Sequence, residues 1–114
     1  MPMTIQAIVC AVDFSPFSPL VVDHAVAIAR RTAVPLFLFH AVHDPQDEVH
    51  PTAVFERGGD LAHLTDDARQ RIQALMTDAA VDWESVVRFG EPVEQTVAFV
   101  SSLVPSLVVS ASHG

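Results

Sequence analysis

Two polar residues at the ends of apolar runs could take part in ligand binding. Asp13 directly follows the run 5–12, and His113 follows the run 107–112. The carboxylate of Asp13 can contact a ligand, or it can accept hydrogen bonds from the turn amides around Ser15. A histidine beside the final residue of the sequence could face an anionic group, but such a residue is more often solvated. The residue types therefore leave both roles of Asp13 open and favour a solvated His113.

A dense set of potential metal ligands surrounds the end of the apolar run 35–42. Strand alternation would direct His40 and His43 to opposite faces if the strand continued. We therefore interpret the set as part of a solvated acidic loop and expect no metal site. Its members are His40, His43, Asp44, Asp47, Glu48 and His50.

Other residue types argue against several kinds of catalytic site. The residue types of a nucleophilic triad are present in Ser15, Ser18, Asp23 and His24. However, Asp23 and His24 are neighbours on the predicted helix 1 and therefore project in different directions, and no G-x-S-x-G motif is present. All 6 basic residues are arginine. Without lysine, the chain cannot complete a Walker A loop, a protein-kinase site or a pyridoxal Schiff base. Cys10 is interpreted as a small buried hydrophobic residue. From these residue types together, we expect a protein that is not an enzyme.

Composition predicts one soluble domain over residues 1–114. Hydrophobic residues make up 50% and charged residues 18% of the 114 positions, which suffices for a substantial core. The net charge of -8 opposes nucleic-acid binding. No apolar run approaches the roughly 20 residues of a membrane span, and no signal peptide is visible. With a single cysteine, these features favour a cytoplasmic protein without a nucleic-acid or membrane partner.

Hydrophobic patterning predicts strands that alternate with helices. Short apolar runs bounded by turn residues indicate buried strands at 5–12, 35–42, 83–89 and 107–112. Helix 1 follows an expected cap at Ser18, helix 2 opens at Asp60, and helix 3 opens at Pro92. Residues 43–59 form a long connection. The expected apolar stripes are Val21, Ala25, Ile28 and Ala29 in helix 1, Leu61, Leu64, Ala68, Ile72 and Leu75 in helix 2, and Val93, Val97, Val100 and Leu103 in helix 3.

This alternation predicts an α/β fold with a parallel sheet and helices on both faces. In such folds ligands bind at the carboxyl ends of the strands, near the point where the strand order reverses. The sequence places Asp13, Val42, Gly90 and His113 at those ends.

Four short motifs follow one another along nearly the whole chain. They are Ile8-Val-Cys-Ala-Val-Asp13-Phe-Ser15, Leu38-Phe-His40-Ala-Val42, Gly90-Glu-Pro92 with Val97, and Leu107-Val-Val-Ser-Ala-Ser-His-Gly114. In this order and spacing they resemble the universal stress protein family, a group of adenine-nucleotide-binding α/β domains. The resemblance implies an open, Rossmann-like sheet of the adenine nucleotide alpha hydrolase-like type, with strand order 3-2-1-4.

The resemblance also implies which residues would bind ATP or another adenine nucleotide. Asp13 would meet the adenine or the ribose. Ala11, Val12 and Ala41 would line the adenine slot, and Ala111, Ser112, His113 and Gly114 would form half of a phosphate loop.

The last motif departs from the nucleotide-binding pattern G-x2-G-x9-G-[ST]. Ala111 stands where that pattern has its first glycine, Gly114 matches the second, and the sequence ends there. Since backbone amides of the complete loop would cradle the phosphates, we expect this chain to bind ATP weakly or not at all.

Three hypotheses for function remain. The first is a stress-response domain that binds adenine nucleotide, a protein partner or both. The alternative is a regulatory or dimerisation module without nucleotide binding. A third, an adenylating enzyme, would need a Gly/Ser-rich pyrophosphate loop after strand 1, and Asp13-Phe-Ser-Pro-Phe-Ser is not such a loop.

The resemblance further implies a fifth strand and a last helix that this sequence does not contain, so the chain is expected to be truncated at its C-terminus. Strand 4 would then lie at the sheet edge with an apolar, uncharged sequence. We therefore expect a homodimer or another self-association through the edge of strand 4.

Overall fold

The computed structural model describes residues 5–42, 58–76, 81–103 and 106–110, with side chains from residue 63 onward in the second range. Strands and helices alternate within these ranges, as the apolar runs predict. The strands are β1 (Ala7–Ala11), β2 (Leu36–Val42), β3 (Trp83–Phe89) and β4 (Ser106–Val109), and the helices are α1 (Ser18–Thr32), α2 (Gly58–Leu75) and α3 (Pro92–Ser101).

The four strands form one parallel sheet in the order β3-β2-β1-β4. In the register, Ile8 lies beside Leu36 on one side and beside Leu107 on the other. The chain therefore adds strands outward from β1 to β3 and then crosses back to place β4 on the free side of β1. The predicted fold class and strand order are confirmed, and the reversal of strand order falls between β1 and β4.

The two faces of the sheet bury different layers of side chains because successive strand residues point to opposite sides. On one face, Ile8 and Leu38 are fully buried against α1 and α2, where Ala25 and Ile72 complete the contact. The other face carries a smaller cluster under α3, whose members are Val9, Phe39 and Val86 with Phe37, Phe99, Val100 and Leu103 packed against them.

The start of α1 differs from the expected cap at Ser18. Phe17 occupies the N-cap position without a side-chain cap, and Ser18 is the first helical residue. The Ser18 hydroxyl donates instead to Oδ1 of Asp13 at 3.3 Å. Ser18 is 2% exposed, so this bond satisfies its hydroxyl inside the protein.

The predicted stripe of α3 is wrong in its first half. Val100 and Leu103 pack against the sheet, whereas Val93 and Val97 are 68% and 58% exposed. Val93 and Val97 face the open space beside Val108 of β4. Local spacing identified one apolar face correctly, but the first half of that face borders the cleft instead of packing on the sheet.

The expected stripe of α2 is confirmed at Ala68 and Ile72, while Leu64 is 40% exposed. The helix begins at Gly58, two residues before the expected start. Most of the predicted connection, residues 43–57, lies outside the described residues, as do 111 and 112 of the predicted strand 4. None of the helices in the described ranges combines the length and hydropathy needed to cross a bilayer.

Candidate functional site

A cleft of about 330 Å³ opens at the carboxyl ends of β1, β2 and β4. The end of β1 contributes Ala11, Val12 and Asp13, and the end of β4 contributes Val108 and Ser110. The cleft therefore lies where the strand order reverses. Parallel α/β sheets bind ligands at this point because the connections diverge there and leave a crevice.

The walls of the cleft are mostly apolar, with hydroxyl groups from two helices and from the end of β4. Phe39 and Ala41 of β2 lie at one side, and Val93 and Val97 of α3 lie at the other. The hydroxyl-bearing residues of the lining are Ser18 of α1, Thr96 of α3 and Ser110 after β4. Concave, mostly apolar clefts with a few polar groups are typical of small-molecule sites, and the volume lies near the lower end of their usual range of roughly 300–1,000 Å³.

Asp13 both caps a turn and lines the cleft. Its Oδ1 accepts the backbone N–H of Ser15 at 2.9 Å and the hydroxyl of Ser18 at 3.3 Å. The cap therefore exists in the structure, and the exposed residue also borders the space where a ligand would lie. The two roles that the sequence left open are geometrically compatible.

The loop between β1 and α1, residues 12–17, is also held by contacts of an aromatic ring. Phe14 has a φ of 59°, in the left-handed region that non-glycine residues seldom adopt. Its ring lies 4.3 Å from the His40 ring, centroid to centroid. The guanidinium carbon of Arg71 on α2 lies 4.1 Å from the centroid of the Phe14 ring, within cation–π distance.

His40 joins the end of β2 to the end of β1. Its Nδ1 lies 2.8 Å from the carbonyl oxygen of Val12. Because a carbonyl only accepts, Nδ1 must carry a proton for this hydrogen bond. Burial lowers the pKa of His40; the Val12 bond raises it, the Arg71 charge lowers it and the Asp13 charge raises it, with a net shift downward. The neutral imidazole is thus favoured beside the cleft.

A tight turn places α3 beside the cleft. Gly90 has a φ of 143°, and its N–H donates to the carbonyl of Val42 at 3.0 Å. Glu91 is the N-cap of α3 and accepts the N–H of Glu94 at 2.8 Å. Pro92 then starts the helix, as predicted. This turn brings Val93, Thr96 and Val97 to the cleft wall.

The structure brings together four of the eight residues that the resemblance implied for the site. Ala11, Val12, Asp13 and Ala41 all line the cleft. Ala111, Ser112, His113 and Gly114 lie outside the described residues.

Sequence reasoning missed several cleft residues that come from α1 and α3. The spacing of Ser18 from Asp13 could have suggested a contact with the aspartate. The exposed positions Val93 and Val97 were assigned to the core because their helical spacing matches that of core residues. Only the position of α3 relative to β4 shows that these two valines face the cleft and not the core.

Two further candidates for chemistry from the sequence are Cys10 and the potential metal ligands around the end of β2. Cys10 is fully buried, and burial raises the pKa of its thiol to about 12, as expected of an inert cysteine. Of the potential metal ligands around the end of β2, only His40 is described. Within the described ranges, no group of three or more His, Cys, Asp or Glu side chains could hold a metal ion.

Comparison of the sequence with known protein families gives a match over nearly the whole chain. The model of the universal stress protein family matches residues 4–114. The chain belongs to the universal stress protein family. The resemblance inferred from the four motifs is thus confirmed, whereas comparison with the sequences of curated proteins gives no match.

Solved universal stress proteins share the fold of this family member. The protein UspA from Lactobacillus plantarum is 23% identical with a TM-score of 0.64, over 99% of this chain and 81% of that one. A universal stress protein solved in complex with cAMP is 22% identical with a TM-score of 0.60, over 93% and 71%. One from Archaeoglobus fulgidus is 16% identical with a TM-score of 0.55, over 96% of each chain. At these identities the likeness supports the fold alone.

Proposed function

We propose that this universal stress protein acts by binding an adenine nucleotide in the cleft at the carboxyl ends of β1, β2 and β4, and that it contributes to a stress response through that binding. The observation that carries the proposal is the position of Asp13. This carboxylate lines the cleft at the reversal of strand order, where hydroxyl groups of a ligand could donate to it.

The cleft walls suit a flat aromatic base. Ala11 and Ala41 have small side chains and lie on neighbouring strands, so a planar ring can approach the backbone between them. Val93 and Val97 add exposed apolar surface, and the Thr96 hydroxyl, which donates to the Pro92 carbonyl at 2.7 Å, keeps lone pairs that can accept from a ligand. The structural relative in complex with cAMP supports an adenine-containing ligand for this fold.

Charge favours weak binding of highly charged nucleotides. The chain has a net charge of -8, and Asp13 adds a carboxylate to the cleft wall. A triphosphate would be repelled more strongly than a monophosphate. We therefore expect AMP to bind more tightly than ATP, and we keep the expectation that ATP binds weakly or not at all.

Binding without catalysis is the activity we propose. The titratable side chains among the described residues of the cleft lining are those of Asp13 and His40. Oδ1 of Asp13 accepts two hydrogen bonds, and the protonated Nδ1 of His40 donates to Val12. Both groups are engaged in positioning the loop, which supports a binding role.

Asp13→Asn distinguishes the two roles of the aspartate by the sign of its effect. The asparagine keeps an oxygen for the Ser15 and Ser18 bonds but loses the charge. If Asp13 accepts ligand hydroxyls, AMP affinity measured by calorimetry should fall by at least about tenfold, because hydrogen bonds to charged groups contribute roughly 1.5–3 kcal/mol. If Asp13 only caps the turn, affinity for the anion should stay constant or rise.

Asp23→Asn is the matched control, since Asp23 is an exposed aspartate on α1 and the change in net charge is the same. GMP in place of AMP tests selectivity for the base. If the wild-type protein binds neither AMP nor adenosine, the proposal is wrong, and the alternative of a regulatory module without nucleotide binding is favoured by Ala111 at the expected glycine position.

We also propose that two copies associate through the edge of β4. Within the described ranges, β4 pairs on one side only, with β1. Its residues Ser106–Val109 carry no charge, and Val108 is 41% exposed. The opposite edge strand, β3, carries exposed Glu84 and Arg88, and charged residues at an edge discourage strand pairing. The support for a second copy is therefore stronger at β4.

A further inference from the structure

Three side chains from separate parts of the chain form a stack behind the β1–α1 loop. The guanidinium carbon of Arg71 on α2 lies 4.1 Å from the centroid of the Phe14 ring, and the Phe14 and His40 ring centroids are 4.3 Å apart with an interplanar angle of 39°. His40 is fixed in turn by its hydrogen bond to the carbonyl of Val12. The stack thus holds both the backbone before Asp13 and the side chain after it.

Phe14 needs this support because its backbone is in an unfavourable region. Its φ of 59° brings Cβ close to the following carbonyl oxygen, a cost that glycine would avoid. Such conformations persist where surrounding contacts determine them. Here those contacts are the His40 ring and the Arg71 guanidinium, together with the bonds of Asp13 to Ser15 and Ser18.

We propose that Arg71 is a positioning residue for the ligand cleft, acting through Phe14 to keep the β1–α1 loop in the conformation that places Asp13 on the cleft wall. Its use for an adenine nucleotide rests on the proposed function, whereas the effect on the loop does not. Arg71 is an exposed residue of α2 and is not among the described residues that line the cleft. Its loss would therefore act on a bound ligand indirectly, through the loop, through His40 or through the lost charge, and Arg69→Ala controls for the charge.

Amide hydrogen exchange of Ser15 tests the effect on the loop directly. The Ser15 N–H donates to Oδ1 of Asp13 at 2.9 Å, so its exchange reports opening of the turn. Arg71→Ala should speed this exchange about fivefold, because that factor corresponds to the free energy of one exposed cation–π contact. Arg71→Lys keeps the cation and should lie between the alanine variant and the wild type.

Arg69→Ala is the matched control, because Arg69 is an exposed arginine of the same helix and its loss changes the net charge equally. Exchange at Ser15 should be unchanged in this variant. Equal Ser15 exchange in Arg71→Ala, Arg69→Ala and the wild type would overturn the proposal. Equal acceleration of the amides of β1 and β2 would also overturn it, because the fold as a whole would then be weakened.

A double-mutant cycle tests whether the loop matters for binding. AMP affinity should fall in Arg71→Ala in proportion to the lost population of the closed loop, yet Arg71→Ala added to Asp13→Asn should cause no further loss, because both changes remove the same contact. If the two substitutions lower AMP affinity independently, Arg71 does not act on the ligand through Asp13. If the wild type does not bind AMP, the proposed function fails, and the Ser15 exchange still decides whether Arg71 holds the loop.

Discussion

Nδ1 of His40 lies 2.8 Å from the carbonyl oxygen of Val12, and this bond joins residues 28 positions apart at the ends of two neighbouring strands. Val12 N–H donates to the carbonyl of Phe39 at 2.8 Å in the same region. The ends of β1 and β2 are thus fixed to one another where the strand ladder stops. The cleft wall beside Asp13 is built on a rigid pair of strand ends.

The pKa of His40 should lie below its ordinary value of 6.5, because burial disfavours the imidazolium and the Arg71 charge adds to this effect. Since the unfolded chain then binds the proton more readily, the contribution of neutral His40 to stability is complete above pH 6.5. It falls as the pH drops from 6.5 towards the lowered pKa. An NMR titration of the imidazole measures the pKa. Urea unfolding above pH 6.5 and below the lowered pKa measures the change in the free energy of unfolding.

His40→Asn should reduce this pH dependence, because its amide can replace the Nδ1 donor without titrating. Arg71→Ala should raise the pKa of His40 by removing a neighbouring positive charge. A His40 pKa at or above 6.5 in the wild type would contradict the prediction.

Cys10 should be unreactive in the folded protein. The side chain is fully buried, and the pKa of the thiol is raised to about 12, so very little thiolate exists at neutral pH. The rate of labelling by a thiol reagent should be negligible in buffer and rise steeply across the urea unfolding transition. Cys10 is the single cysteine, so the signal belongs to one site. Rapid labelling of the native protein would show that β1 opens locally.

Gly90→Ala should destabilise the protein by about 1–3 kcal/mol, because a φ of 143° is strained for any residue with a Cβ. The added Cβ would also lie 2.6 Å from Nε2 of Gln95. Gln95→Ala removes this clash but not the strain, so the double variant should recover only part of the loss in urea unfolding. Full recovery would mean that the steric clash alone causes the effect.

Self-association through β4 should respond to charge on that edge. Val108→Lys should shift the protein towards the monomer in light scattering over a concentration series, since two like charges would meet at the interface. Phe89→Lys is the matched control, because Phe89 is 37% exposed on the opposite edge strand. A wild-type protein that remains monomeric at high concentration would contradict the proposed interface.

Short-range patterns were sufficient for the elements of this fold. The strand Trp83–Phe89 has the predicted bounds, and α3 starts at the predicted Pro92. Proline, glycine and the switch from apolar runs to helical spacing act within a few residues, so the local sequence contains the information. The exact cap of α1 differs because Ser18 bonds to Asp13 rather than to the helix backbone.

The sequence by itself determined the alternation of strands and helices and singled out Asp13 as a candidate for the site, and the family resemblance supplied the strand order. Only the tertiary structure decided that Val93 and Val97 line a cleft, and that Phe14, His40 and Arg71 stack behind the loop. Periodicity shows which face of an element is apolar, but it does not show what lies opposite that face. Contacts between residues far apart in the chain depend on how the elements pack, and packing is a property of the whole fold.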